Sequence, residues 1–363
     1  MDHHHLQEYR ALLHGRIYDK MHSQGIDSLL VTDIAAIRWL TGFSGSSARL
    51  LLAKGSAVLF TDFRYREQVR KETSGIDIVI VVDSFATELA SGAFPLGVRS
   101  AMQADQVTWH EMRHLSERLD GREFVPVASF FEEFRQVKHQ AEIGKMRRAV
   151  SISEQVLERV IPMISPLVTE LDLAAEISYQ HKKLGAEKDS FDPIVACGIR
   201  SAMPHARPTA EYLTEGSFVV IDMGCIVDGY ASDQTRTVAL GKVSEEARKV
   251  YRIVRAAQQL GIDAARAGME AKALDHEVRS FIAAEGYGEA FGHGLGHGVG
   301  VEVHEAPRLG TSGMATLQEG MVFTIEPGIY LDGRFGVRIE DMVLLGADGA
   351  FALQGFTKEL IEL

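Results

Sequence analysis

The chain has 363 residues, enough for two domains of ordinary size. Apolar residues make up 46% and charged residues 24%, the balance of a core-forming globular protein. With 50 acidic against 38 basic residues the net charge is −12, and no basic run reverses it locally, which argues against a nucleic-acid partner.

Two cysteines, Cys197 and Cys225, make neither a disulfide framework nor a zinc motif, so a reducing cytoplasm is the expected compartment. The opening MDHHHLQEYR lacks the apolar core of a signal peptide, and no apolar run approaches membrane-spanning length, so no membrane association is expected. The triplet His3, His4 and His5 reads as an isolated terminal tract, native or appended, and is set aside.

The first part of the chain alternates strand and helix signals. GIDSLLVTD, ARLLLAKGSAVLFTD and IDIVIVVDS are short apolar, β-branched runs that end at polar or turn residues. Helical patterns lie around Tyr65 to Glu72 and His110 to Leu119. The alternation predicts an α/β layer built on a sheet. Near Gln136 to Glu142 the composition turns polar. A long helix is predicted after it, with Ile143, Met146, Val150, Leu157 and Val160 on one face. The expected division is residues 1–135 and 136–363.

The second part contains an internal repeat. Residues 215–222 read EGSFVVID and residues 319–326 read EGMVFTIE. Upstream of each lies a helix carrying Leu-Asp, at Leu171-Asp172 and at Leu274-Asp275. Thr169 and Asp172 fit a capping box, and Gly185 and Gly286 fit helix ends. Two related halves predict a pseudo-symmetric domain with something held between them.

Each half carries a hairpin with paired carboxylates. In FVVIDMGCIVDGYASDQTRTVAL the turn is Asp228-Gly229. A four-residue loop would set Asp222 opposite Asp233, and a two-residue loop would make them diagonal neighbours. Either register puts both on one face, roughly 5–8 Å apart at Cβ. In FTIEPGIYLDGRFGVRIEDMVLL, Glu326 and Glu340 are symmetric about Gly333 and so face each other. Four inward carboxylates repel unless protons or cations lie between them, and a divalent metal is the physical solution. Between the hairpins, FGHGLGHGVGVEVHEAP supplies His293, His297 and His304. One imidazole with four carboxylates suits manganese, cobalt, iron or zinc better than calcium.

Each feature has a bland alternative. A lone Asp at a strand end is usually a turn or cap residue. The Gly-rich HGLGHGVG lacks the strand-to-helix context of a phosphate loop. The spacing of His293 and His297 imitates a zincin helix, but Gly294, Gly296 and Gly298 oppose a helix and the expected glutamate is absent. His205 alone would be a surface loop histidine, and Tyr330 and Arg338 ordinary strand residues. The joint pattern outweighs these readings.

The motifs PHARP around His205, VVIDMGCIVDGYASDQTRT, HGLGHGVGVEVHEAP, TIEPGIY and RIEDM resemble the pita-bread metallopeptidases. With WLTGFSGS around Phe43 and LFTDFRYREQ around Asp62, the chain is similar over nearly its full length to the Xaa-Pro aminopeptidase and prolidase branch. The resemblance implies a creatinase-type α/β N-terminal domain and an α+β pita-bread catalytic domain with a pseudo-two-fold repeat. It implies Asp222, Asp233, His297, Glu326 and Glu340 as ligands of two divalent ions, with manganese expected first and cobalt, zinc or iron also compatible. It casts His205, His304 and Glu326 as catalytic. His205, His293, His304, Tyr330 and Arg338 would contact or support the substrate.

The implied reaction is hydrolysis of an N-terminal Xaa-Pro bond by a metal-bridged hydroxide. The preferred expectation is an Xaa-Pro aminopeptidase, the alternative an Xaa-Pro dipeptidase (prolidase). Peptides with proline in second position are the implied substrates, and a homodimer the implied assembly. The methionine aminopeptidase branch shares the metal set but would not explain the N-terminal domain. A creatinase-like hydrolase without metal, or a non-catalytic pita-bread binding module, would have lost carboxylates that are all present here.

Overall fold

The computed structural model describes residues 3–92 and 94–363, with side chains from Tyr9 onward. The His3–His5 triplet begins the His3–Ser23 helix, and its side chains lie outside the described residues. The chain divides into two units, Met1–Phe134 and Arg135–Leu363.

In the first unit the apolar runs become a mixed six-stranded sheet. Its order is Asp77–Val81, Ser56–Asp62, Ala48–Ala53, Ser28–Val31, Arg99–Gln103 and Glu123–Val127. ARLLLAKGSAVLFTD folds back on itself as two antiparallel strands turning at Lys54-Gly55. The Ser28–Val31 strand is buried along its whole length, which is why it reads as a continuous apolar run rather than an alternating one. Arg99–Gln103 carries Arg, Ser and Gln, and Glu123–Val127 is interrupted by Pro126, so neither stands out as a strand in sequence. They become strands because Arg99–Gln103 adds in parallel to Ser28–Val31 and Glu123–Val127 adds to it in turn. The helices Arg66–Glu72 and Trp109–Arg118 fall where the apolar spacing predicts them.

The second unit starts with the Gln140–Val160 helix, entered through a capping box of His139 and Glu142. Ile143, Met146, Val150, Leu157 and Val160 are all buried on its inner face, as their spacing predicts. The repeat is visible in two 14-residue helices, Glu170–Lys183 and Ala271–Ala284. Their buried residues coincide when Glu170 is laid on Ala271: Leu173 then matches Leu274, Ala174 matches Asp275, and Ile177 matches Val278. The Leu-Asp pairs seen in sequence are therefore two positions out of the structural register. Leu171 is exposed and Asp172 closes a capping box with Thr169, whereas Leu274 and Asp275 are buried.

Each half has its own apolar core. One gathers Leu157, Leu173, Ile177, Val219 and Ile221, and the other Val254, Leu274, Val278, Phe323 and Ile325. Each such fully buried side chain is worth about 1.5–3 kcal/mol. The first half carries a three-stranded sheet in the order Gln234–Leu240, Ser217–Met223, Ile194–Cys197. The second carries a five-stranded sheet in the order Glu305–Leu309, Gly296–Gly298, Val322–Ile325, Asp341–Gly346, Gly349–Ala352. The halves meet where the Glu340 N–H donates to the Thr235 carbonyl at 3.1 Å. That junction brings the two carboxylate pairs together.

Candidate metal centre

Asp228-Gly229 closes a two-residue loop, with Val227 opposite Tyr230. The φ angles there, 49° and 81°, are the left-handed values a primed hairpin turn needs. The same register pairs Asp222 with Thr235. Asp222 and Asp233 are thus diagonal neighbours on one face, so the tighter of the two loops left open by the sequence is the one adopted. Both are buried, at 8% and 4% exposure. In the second hairpin Ile325 faces Asp341 and Gly328 faces Arg338. Glu326 and Glu340 lie opposite each other between those two ladders.

His297 sits in the short strand Gly296–Gly298. The flanking glycines allow close backbone approach. A Cβ on Gly296 would lie 2.0 Å from the Thr324 carbonyl oxygen, and one on Gly298 would lie 2.1 Å from that of Ala306. Nδ1 of His297 is 3.1 Å from the Gly298 carbonyl, which assigns the proton to Nδ1. Nε2 is then free to face Glu326 Oε1 at 3.4 Å and Asp233 Oδ2 at 3.6 Å. Asp233, His297 and Glu340 each present a ligand atom within 4.8 Å of the others.

The electrostatics follow from burying these groups together. Burial first, then the neighbouring carboxylates, holds Asp233 and Glu340 well above the usual carboxylate range. Burial above all raises Glu326 to about 7. His297 is lowered to about 4 by burial and then by His304, which keeps its imidazole neutral and able to ligate. Asp222 Oδ2 accepts from Arg338 Nη2 at 2.6 Å, while Oδ1 is fully buried with no hydrogen-bond partner among the described residues. These residues fit divalent cations. A cation would satisfy the orphaned oxygen and cancel the repulsion among the carboxylates, and four carboxylates with one imidazole form a manganese-, iron-, cobalt- or zinc-type donor set.

Three more imidazoles surround this cluster. The His304 ring lies 4.3 Å from that of His297; the residue is exposed, and partial desolvation against this cluster lowers its pKa. His293 Nδ1 lies 2.8 Å from the Gly294 carbonyl, so Nε2 accepts from the Tyr330 hydroxyl at 3.0 Å. Arg338 Nη1 donates to the same hydroxyl oxygen at 2.9 Å. Burial lowers His293 to about 4. His205 is exposed on the loop after Ile194–Cys197, near enough to influence both His293 and His304 electrostatically. Arg338 ties that loop down by donating to the Pro204 carbonyl at 3.1 Å. Every candidate residue named from sequence thus gathers in one region of the second unit.

Residues 144–347 match metallopeptidase family M24, and residues 14–137 match the creatinase/prolidase N-terminal domain. The chain belongs to metallopeptidase family M24. An Xaa-Pro dipeptidase of Pyrococcus horikoshii is 35% identical over 95% of the chain and 97% of its own length. The solved structure of an Xaa-Pro dipeptidase from Bacillus anthracis superposes with a TM-score of 0.94 at 36% identity, covering 98% of this chain and 100% of that one. An X-Pro aminopeptidase from Thermotoga maritima superposes with a TM-score of 0.90 at 35% identity, covering 96% and 99%.

As an M24 peptidase the protein is a hydrolase of the pita-bread fold whose family implies divalent metal. Two threonines of this M24 site were not singled out in sequence. Thr235 donates to Glu340 Oε2 at 2.6 Å, and Thr324 donates to Glu326 Oε1 at 3.2 Å while accepting the His297 N–H at 3.1 Å. Each lies two residues along the chain from a carboxylate just beyond its strand's end, Thr235 from Asp233 and Thr324 from Glu326, so the two-residue strand period was the available signal.

Proposed function

We propose that this M24 peptidase is an Xaa-Pro dipeptidase, with Asp222, Asp233, His297, Glu326 and Glu340 holding two divalent ions and manganese the first expectation. The observation that carries the reading is the convergence of four carboxylates, three of them pushed up towards protonation, on one neutral imidazole with three further histidines around it.

The preference for dipeptides replaces the aminopeptidase expectation on two grounds. Two of the three relatives described above are Xaa-Pro dipeptidases. In addition, Arg308 lies directly opposite His297 in the ladder, is exposed, and acts electrostatically on His304. A guanidinium there fits the free carboxylate of a two-residue substrate. The likeness to the X-Pro aminopeptidase supports the second reading, cleavage of longer peptides.

Bound divalent ions would supply an activated water and polarise the scissile carbonyl. His304 and His205 donate hydrogen bonds to the carbonyl oxygen as charge develops on it. Glu326 accepts the proton of the attacking water and delivers it to the departing proline nitrogen. Arg338 fixes Asp222 and, through Tyr330, orients His293 as a wall for the proline ring. A bond to proline has no N–H, so recognition by shape is what the substrate offers. A homodimer and a cytoplasmic location remain part of the proposal. No helix among the described residues is long and apolar enough to cross a membrane.

The test is a matched panel of Xaa-Pro dipeptides, Xaa-Pro tripeptides and longer peptides, Xaa-Ala controls and N-acetylated forms, with and without prolonged chelation. Hydrolysis should require metal, a free amino terminus and proline in second position, and should be fastest for dipeptides. Equal rates for Xaa-Ala and Xaa-Pro substrates would overturn the proline assignment. Faster cleavage of tripeptides would return the aminopeptidase reading.

A further inference from the structure

Two buried carboxylates outside the metal cluster each hold a loop that carries a histidine. Glu170 is the first residue of the Glu170–Lys183 helix and is 1% exposed. Its carboxylate accepts the Cys197 N–H at 2.8 Å and Arg200 Nε at 3.0 Å on one side of His205. On the other side it accepts the Thr209 N–H and hydroxyl, both at 2.9 Å. Arg200 completes the closure by donating from Nη2 to the Arg207 carbonyl at 2.5 Å. One carboxylate and one guanidinium therefore gather both ends of the loop at whose tip His205 is exposed.

The other half has the same device built from different positions. Asp275, in the Ala271–Ala284 helix, is 1% exposed and is paired with Arg279 through Nε at 3.0 Å and Nη2 at 2.8 Å. Asp275 accepts the Leu295 N–H at 3.0 Å, and Arg279 donates to the Phe291 and His293 carbonyls, each at 2.7 Å. The Arg279 guanidinium also lies 4.3 Å from the Phe291 ring centre. His293 is thus gripped on both sides from one helix, as His205 is from the other.

Glu170 and Asp275 do not correspond in the repeat, because Ala174 is the match of Asp275. The two latches are alike in chemistry without being copies. The Asp275–Arg279 pair is bidentate, whereas Arg200 reaches Glu170 through Nε alone and spends Nη2 on the loop. In both, a charge-assisted pair spends its remaining lone pairs and protons on backbone groups of the loop. Burying such a pair is a weak route to stability, so its return lies in fixing geometry.

We propose that the pairs Glu170–Arg200 and Asp275–Arg279 are positioning latches that set His205 and His293 against the substrate. This rests on the substrate-facing roles given to those histidines under the proposed function.

The test uses the full-length, metal-loaded enzyme and double-mutant cycles. Glu170→Gln should lower kcat by about 10- to 100-fold, the cost of misplacing a group by around an ångström, with a smaller change in KM and unchanged metal content. The same substitution made in a His205→Ala background should cost little, because its effect passes through His205. Asp275→Asn and His293→Ala should behave in the same way. Arg200→Lys and Arg279→Lys, which keep the charge but lose the fork, guard against a variant that fails to fold. Hydrogen exchange on the metal-free protein gives a second readout: Glu170→Gln should speed exchange in residues 198–209 and leave residues 291–295 unchanged. Losses that simply multiply in the double variants would overturn the latches while leaving the histidine roles standing. Full turnover in His205→Ala and His293→Ala would instead overturn those roles, and the latches' part in catalysis with them.

Discussion

Thr235 donates its hydroxyl proton to Glu340 at 2.6 Å, joining the carboxylate hairpin of one half to that of the other. The same hydroxyl accepts from Arg338 Nε at 3.0 Å, and Arg338 in turn holds Asp222. A single buried oxygen therefore sets the angle of one candidate ligand and the anchor of another.

Thr235→Val keeps the shape of the side chain and removes both bonds. It should weaken metal affinity by about 10- to 100-fold, the usual cost of losing a partner that orients a ligand. Titration of metal-free protein with manganese, read calorimetrically, checks this. An unchanged affinity would show that Glu340 needs no such support.

Glu326 gives a pH prediction for the metal-free protein. Its folded pKa is raised from 4.5 to about 7, so its protonated form favours the fold. The stabilising contribution is fully present below 4.5 and is lost as pH rises through about 7. Glu326→Gln removes this dependence. The stability of the variant relative to the wild type should therefore climb between pH 4.5 and 7 and level off above. Buried histidines with lowered pKa, such as His293, act in the opposite direction but are common to both proteins and cancel in the difference. Denaturant melts in chelator at several pH values measure it, and parallel curves for the two proteins would refute it.

His304→Ala should reduce kcat far more than it alters KM, since its hydrogen bond strengthens only as charge develops on the substrate oxygen. The expected loss is about 10²–10³-fold. Steady-state kinetics at constant metal occupancy decides it. A change confined to KM would make His304 a ground-state binding group.

Arg308→Leu should separate substrates by their carboxyl ends. Loss of a charged hydrogen bond costs about 1.5–3 kcal/mol, or roughly 10- to 100-fold, in kcat/KM for an Xaa-Pro dipeptide. A C-terminally amidated dipeptide, which offers no carboxylate, should be nearly indifferent to the substitution. Equal losses for both substrates would remove Arg308 from carboxylate recognition.

Much of this protein was legible in its sequence because the informative features are local and periodic. Two-residue alternation placed Asp222 with Asp233 and Glu326 with Glu340 on shared strand faces, and the helical face of Gln140–Val160 followed from its apolar spacing. The glycines around His297 ruled out a helix there, and the chain runs as a strand. What spacing could not supply was anything that depends on two halves meeting. The register of the first hairpin stayed open until the Val227–Tyr230 pairing fixed it. The likeness of Leu171-Asp172 to Leu274-Asp275 misled by two positions, because burial and not residue identity sets the register of the repeat. Thr235 reaches Glu340, and Glu170 reaches both ends of the His205 loop, across separations that no sequence window spans. The sequence determined which groups had to be buried and where charge would accumulate. Only the tertiary structure decided which partner each buried group would find, since that depends on the packing of whole helices and sheets.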